Sequence, residues 1–312
     1  MPPRTLVIVN PASRNGATRR SFLKLEPRLR EVLGPLEVDW TKAPRDAERL
    51  AREGVTAGVE RILVAGGDGT ASEVVSGILA SDLGDEVEIG LLPFGTGADL
   101  ARGLGLAGDV QAAMADIALG HTRRIDAGLL EYLDGEGKAC RTHFINSATI
   151  GISGLICAMV NQTTKLFGGT FSFLIGTIRA LVGFQPAPLE LWLDGRKVYE
   201  GEVVLATANN GCYFGGGMKG SPRARFDDGL LDVVVIPGLT KWTLFSRLPT
   251  LYPGTHVDVA GVEYFQGRQL EVKAAAGAQP LEIDGEPLGF APARFSVVPE
   301  AINLVGARET GS

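Results

Sequence analysis

The chain has 312 residues, 45% hydrophobic and 21% charged, without a low-complexity run, so it reads as a folded protein with more than one core. Its formal net charge of −6 argues against nucleic acid as a partner and against recruitment to anionic membrane by net charge alone, since both need a basic surface. The three cysteines, Cys140, Cys157 and Cys212, are scattered and form no C-x-x-C pair, which speaks against a disulfide framework or a zinc site and for a reducing cytoplasm.

The apolar run Leu6–Val9 is too short for a secretory signal and ends in Asn10-Pro11, so it is expected to be a first strand. Further strands are expected at Leu36–Trp40, Arg61–Ala65 and Ile89–Leu92. Between them lie helical patterns over Ala17–Leu33, Arg45–Glu53, Ala71–Leu79 and Ala98–Leu104. That alternation predicts an α/β domain with a parallel sheet. After a helix at Asp109–Leu119 the pattern changes: Ile125–Leu133 and Cys140–Ile150 flank an Asp134-Gly135 turn and predict a hairpin. The one long apolar stretch, Leu166–Phe184, is interrupted by Arg179 and four glycines, so it is expected to be a core helix, or one that lines an acyl-chain pocket or rests on a bilayer, and not a membrane span. Runs at Leu189–Leu193, Val203–Ala208, Leu230–Ile236, Leu270–Lys273, Leu281–Ile283 and Phe295–Val298 predict a β-rich second domain. The boundaries expected are 1–124 and 125–299, with the tail from about 300 to 312 a candidate to pack back on the first domain.

Two glycine loops carry the chemistry. Ile62 to Ala65 runs straight into Gly66-Gly67-Asp68-Gly69-Thr70, and a helical pattern follows. Glycines let successive backbone N–H groups converge on an anion, and a helix adds its positive end. Asp68 in such a cradle would repel phosphate unless a cation stands between, which points to a magnesium–nucleotide complex. The alternative is a strand-to-helix turn that only needs glycine. A second loop of the same design, Pro93-Phe94-Gly95-Thr96-Gly97-Ala98-Asp99, follows the next strand, at the sheet edge where open α/β sheets bind ligands. Neither loop is a Walker A or a G-x-G-x-x-G.

Gly66 to Thr70 with Glu73-Val74-Val75 resembles the G-G-D-G-T-x-x-E-V signature of the diacylglycerol kinase catalytic-domain superfamily, closest to its bacterial lipid kinases. The likeness extends to Asn10-Pro11-Ala12-Ser13, to Pro93 through Arg102, to Asn146–Gly151, Gly215–Met218, Asp228–Asp232 and Ile283-Asp284-Gly285-Glu286, in the family's order. It implies an α/β ATP-binding domain, a β-sandwich second domain and ATP in the cleft between them. ATP is then expected to meet Asn10, Pro11, Ala12, Ser13, Thr41, Gly67, Asp68, Gly69, Thr70, Ala71, Ser72, Glu73 and Thr96, with Asp99 near the magnesium-bound phosphates. Asp68 would act in catalysis through Mg2+. The chain departs from the family at Ala98 and at Ala71-Ser72, where Asn and Ile-Asn are usual, and at Arg14-Asn15, where Gly-Lys is usual.

Phosphoryl transfer needs one carboxylate to take the proton of the attacking hydroxyl. Read from pattern alone, Asp284-Gly285-Glu286 is first of all a hairpin turn, since Asp-Gly also stands at Asp134, Asp194 and Asp228. The resemblance gives this turn the proton acceptor, leaving Asp284 and Glu286 as alternatives. It also implies a structural magnesium held by Asp228 and by the backbone carbonyls of Arg225 and Leu230, an oxygen-only set suited to a hard cation. Lys219, Arg223 and Arg225 could face phosphate or headgroups, or merely solvent. The three histidines lie far apart, and no G-x-S-x-G elbow is present. The function expected is transfer of the γ-phosphoryl group of ATP to a lipid hydroxyl, diacylglycerol-like, by a cytoplasmic protein peripheral on the inner membrane face. A kinase of a soluble alcohol such as NAD, and a nucleotide sensor without activity, are the alternatives.

Overall fold

The structure is a computed structural model that describes residues 2–81, 86–94, 99–106, 108–156, 183–274 and 279–307. Four strands rich in branched apolar residues open the chain: β1 (Thr5–Val9), β2 (Leu36–Trp40), β3 (Arg61–Gly66) and β4 (Glu88–Pro93). They run parallel in the order β2-β1-β3-β4. β1 and most of β3 are buried on both faces, which is why they read as continuous apolar runs. On one face Phe22 and Leu29 of α1 (Ala17–Leu33) pack with Val7, Val9 and Leu63. On the other, Leu50 of α2 (Asp46–Thr56) and Val74 and Ile78 of α3 (Asp68–Leu79) pack with Leu6, Ile8 and Ile62.

Helix α3 starts at Asp68, three residues before the helical pattern, which broke at Gly-Asp-Gly. Asp68, Gly69 and Thr70 are therefore its first turn, where backbone N–H groups have no partner inside the helix. The short α4 (Asp99–Gly103) and α5 (Val110–Leu119) follow, the latter capped by Asp109, whose carboxylate accepts the N–H groups of Gln111 and Ala112 at 2.9 and 3.0 Å.

The second half is built from β5 (Thr122–Leu133), β6 (Ala139–Phe144), β7 (Ser147–Gly151), β8 (Ala187–Leu193), β9 (Arg196–Asn209), β10 (Leu231–Pro237), β11 (Glu263–Gly267), β12 (Gln269–Ala274), β13 (Pro280–Ile283) and β14 (Glu286–Val305). β5 and β6 form the hairpin across Asp134-Gly135. The strand expected to continue to Ile150 breaks at Ile145-Asn146, and β7 crosses to pair with β9 and β13 instead. Two layers, β11-β10-β9-β7-β13 and β8-β12-β14-β5-β6, enclose a core that includes Leu130, Phe144, Ile150, Leu191, Val233 and Phe295.

β14 ties the halves together. Its first part pairs with β5 inside the β-rich half, while Ile302–Val305 pair with Thr122–Ile125 and Asn303 and Leu304 lie parallel to Glu88 and Ile89 of β4. Most of Leu166–Phe184, residues 166–182, lies outside the described residues. Among those described, no helix is long and apolar enough to cross a membrane.

Candidate active site

The carboxyl edge of the parallel sheet gathers most of the nucleotide candidates. A Cβ on Gly66 would stand 2.6 Å from Thr70 Oγ1, so only glycine lets the first turn of α3 fold back over the strand. Asn10 Nδ2 donates to Thr70 Oγ1 at 3.0 Å, while its own Oδ1 accepts the Ala12 N–H at 3.0 Å. Ser13 Oγ donates to the Asn10 carbonyl at 2.9 Å, which rolls Asn10, Pro11, Ala12 and Ser13 into one turn beside Thr70. The Thr41 N–H donates to the Val9 carbonyl at 2.9 Å, so Thr41 sits at the same edge. Ala71 and Ser72 are buried. Glu73 has a task of its own: its carboxylate accepts the N–H groups of Arg45 and Ala47 at 3.0 and 3.1 Å, capping α2. Thr96 and Ala98 lie outside the described residues.

Two carboxylates meet above this edge. Asp68 Oδ2 accepts the Asp99 N–H at 2.9 Å. Burial, then the neighbouring Asp99 charge, push Asp68 up to about 6. Asp99 is 4% exposed; Oδ1 takes Arg102 at 2.7 Å and Oδ2 takes the Gly216 N–H, across the cleft, at 2.6 Å. Burial raises its pKa as well, against those donors. The Arg102 guanidinium also lies over the Tyr213 ring, 5.4 Å from its centre, and Lys219 over the same ring at 5.5 Å. The sequence reading quoted Arg102 only as part of a motif, although its i+3 spacing from Asp99 was the available signal.

The Asp284-Gly285-Glu286 turn separates its two acids. Asp284 adopts φ +47° and its carboxylate is fully engaged: Oδ1 accepts the N–H groups of Asn146 and Ser147 at 3.1 and 2.8 Å, and Oδ2 that of Ile145 at 3.0 Å. Those bonds make the bend that ends β6 and starts β7. Burial raises the Asp284 pKa, while the amides and the Ser72 hydroxyl pull the other way. Ser72 stands where the family favours Asn.

Glu286 contrasts with it. Among the described residues its carboxylate has no hydrogen-bond or ion-pair partner, and its Oε1 lies 3.8 Å from the point where a Gly69 Cβ would stand. The side chain stands exposed at the turn, where partial loss of solvent around its carboxylate and then the charge of Glu73 raise its pKa. A third acid, which the sequence reading passed over, braces the turn from below: Glu282, 5% exposed, accepts the Gly285 N–H at 2.5 Å and the Thr149 hydroxyl at 2.6 Å, and burial pushes it up to about 7.

The implied metal residues form a second cluster. Asp228 Oδ1 accepts the Leu230 N–H at 3.1 Å, and the Arg225 side chain turns to Asp227 at 3.2 Å. Burial and the nearby Asp126 raise the Asp228 pKa. Asp126, absent from the sequence reading, is 1% exposed; it accepts the N–H groups of Gly229 at 2.7 Å and Glu300 at 2.8 Å, fastening this loop to the crossing of β14. Among the described residues no three His, Cys, Asp or Glu side chains converge on a metal position. Carboxylate oxygens such as those of Asp228 are the donor type that suits a hard cation.

Two family models match: the diacylglycerol kinase catalytic domain over residues 4–130 and the YegS C-terminal NAD kinase beta sandwich-like domain over residues 146–306. The chain is 36% identical to a "Probable lipid kinase YegS-like" of Pseudomonas aeruginosa, over 88% of this chain and 86% of that one. It is 29% identical to a diacylglycerol kinase of Mycobacterium tuberculosis over 98% and 96% of the two chains. The fold matches a crystal structure of a diacylglycerol kinase from Bacillus anthracis with a TM-score of 0.72 at 21% identity, covering 97% and 96%. Yeast NADH kinase shares it more loosely, with a TM-score of 0.54 at 12% identity, covering 99% and 85%. The chain belongs to the YegS-like lipid kinases, with a diacylglycerol kinase catalytic domain joined to a β-rich C-terminal domain.

Proposed function

We propose that this lipid kinase moves the γ-phosphoryl group of ATP to the hydroxyl of a diacylglycerol-like lipid at a membrane surface, with Glu286 as the proton acceptor. One observation carries the reading. Among the described residues the Glu286 carboxylate has no partner and stands beside Gly69, whose turn offers free N–H groups suited to phosphate, whereas both oxygens of Asp284 are committed to the 145–147 bend. An acid with a raised pKa and a free oxygen is suited to accept a proton from an attacking hydroxyl. Asp284 then acts as a positioning residue, and Glu282 holds the turn beneath both.

In this reading ATP lies along Asn10 to Ser13, Thr41, the turn from Gly67 to Glu73, and Thr96. Residues 1–124 with the returning end of β14 form the nucleotide half, and residues 125–299 the lipid half. Asp68, half-buried, and Asp99, buried beside it, suit the magnesium that travels with ATP; Asp228 with the carbonyls of Arg225 and Leu230 suits a structural one. Magnesium, when bound, offsets the charge of the phosphates. Arg102, held by Asp99 and stacked on Tyr213, stands as a cation at the cleft.

The test is incubation with γ-labelled ATP and magnesium against diacylglycerol, monoacylglycerol, phosphatidylglycerol, a sphingoid base and NAD. Label entering organic solvent with diacylglycerol supports the reading. Label that stays in water with NAD, and no lipid product, overturns it.

A further inference from the structure

No aspartate or glutamate occurs between Val233 and Val257, in a chain that has 36 of them and a net charge of −6. The outer part of that segment is α6 (Lys241–Arg247) and the turn Leu248–Leu251, neither of which buries a side chain. Leu244, Phe245 and Leu248 are half-buried against Ile152, Val204 and Leu205, so the helix is seated on the body of the protein. Trp242 is not: it is 85% exposed, and Tyr252, after the next turn, is 54% exposed. A single exposed apolar residue needs no explanation. Here two exposed aromatics belong to one acid-free stretch of sequence that also carries Lys241 and Arg247.

A second basic element is fastened beneath. The Lys219 N–H donates to the Leu251 carbonyl at 2.8 Å, and His256 Nε2 meets the Gly220 carbonyl at 3.1 Å, which holds the 219–225 loop against this segment. That loop carries Arg223, stacked on Tyr264 at 4.7 Å, and Lys219, whose ammonium covers Tyr213. Tyr213 in turn meets Arg102 and, through it, Asp99. These contacts link the loop beneath the segment, through Tyr213 and Arg102, to the candidate active site.

We propose that α6 and the turn to Tyr252 form the face by which this protein docks on an anionic phospholipid bilayer, with Trp242 and Tyr252 at headgroup depth, Arg247 toward lipid phosphates, and Arg223, whose exposed guanidinium also meets Asp258 at 3.8 Å, beside it. Amphipathic aromatic rings settle at the membrane–water boundary, and nearby cations add attraction to an anionic leaflet. An acidic protein needs such a local patch, because its overall charge repels that leaflet. The proposal rests on the lipid-kinase reading, since docking brings the cleft at Lys219 and Tyr213 to the lipid.

The experiment is sedimentation of the full chain with phosphatidylcholine vesicles with and without phosphatidylglycerol, plus tryptophan quenching by brominated phosphatidylglycerol. Binding should require phosphatidylglycerol, weaken with salt, and fall at least about tenfold in the double variant Trp242→Ala, Tyr252→Ala. Trp242→Phe should remove the quenching, leaving Trp40 and Trp192 unquenched. Phosphate transfer to dispersed short-chain diacylglycerol should be unchanged in the double variant, while transfer to long-chain diacylglycerol in vesicles falls. Vesicle binding unaffected by the double variant, quenching that persists in Trp242→Phe, or a wild-type dimer that Trp242→Ala dissociates would each overturn the proposal. Should the wild type transfer phosphate to no lipid and yet bind vesicles through Trp242, the docking face stands and the kinase reading falls.

Discussion

Replacing Asp284 by asparagine exchanges one carboxylate oxygen for an NH2 group and removes the charge. In the native turn Oδ1 serves the N–H groups of Asn146 and Ser147, and Oδ2 serves that of Ile145. Asparagine has one acceptor oxygen, so its NH2 must face one or two backbone donors and leave them unpaired. At about 1–3 kcal/mol for each orphaned buried amide, the cost is roughly 2–4 kcal/mol. For a β-rich half of this size, that is a fall of roughly 5–15 °C in melting temperature. Glu286→Gln disturbs no hydrogen bond among the described residues and should melt within about 2 °C of wild type. Thermal melts followed by circular dichroism at neutral pH, without ligand, compare the three proteins. If Asp284→Asn melts with wild type, Asp284 is not a brace of the 145–147 bend, and the division of labour between the two acids is wrong.

Glu282 makes stability depend on pH. Its folded pKa of about 7 stands above the ordinary 4.5, so the folded state binds its proton more tightly than the unfolded chain does. That contribution is complete below the unfolded value and is lost as pH rises through about 7. Glu282→Gln should therefore gain on wild type from about pH 5 to about pH 8, by on the order of 3 kcal/mol in urea unfolding; a difference that does not change with pH contradicts this. Asp68, pushed up to about 6, must be ionised to draw magnesium, so kcat/KM for ATP should fall as pH drops through that value, and Asp68→Asn should lose turnover at every pH. A flat profile across that range would refute the role. Millimolar magnesium without nucleotide should raise the melting temperature of wild type but not of Asp228→Ala; coincident wild-type curves in magnesium and in chelator would remove the structural metal.

What could be read in the sequence was local. The first three strands stand where the sequence places them: β1 and β3 because burial on both faces leaves an unbroken apolar run, and β2, the edge strand, because its apolar and acidic residues alternate. The glycine turn at 66–70 was legible for the same reason, although Gly-Asp-Gly hid the first turn of α3. The role of Asp284 was not legible, since its partners are 137 to 139 residues away and nothing near it in sequence marks a carboxylate that organises another strand. The break between β6 and β7 was lost with it, because those amides bond to Asp284. Glu282 was passed over because an acid between Leu281 and Ile283 reads as the outward side of an alternating strand, whereas β7 and β14 flank this strand and its side chain is buried. Asp126 lies in an unremarkable Arg-Ile-Asp stretch, and its partners, Gly229 and Glu300, are more than 100 residues away in sequence.

The central claim is that Glu286, and not Asp284, takes the proton of the lipid hydroxyl over the phosphate turn. Single-turnover transfer of labelled phosphate from ATP to diacylglycerol by Glu286→Gln, with ATP affinity measured separately, tests it most directly. The account predicts a loss of about 10²–10⁴-fold in the transfer rate at nearly unchanged ATP affinity, the range general-base removal produces. Transfer by Glu286→Gln at close to the wild-type rate would contradict it.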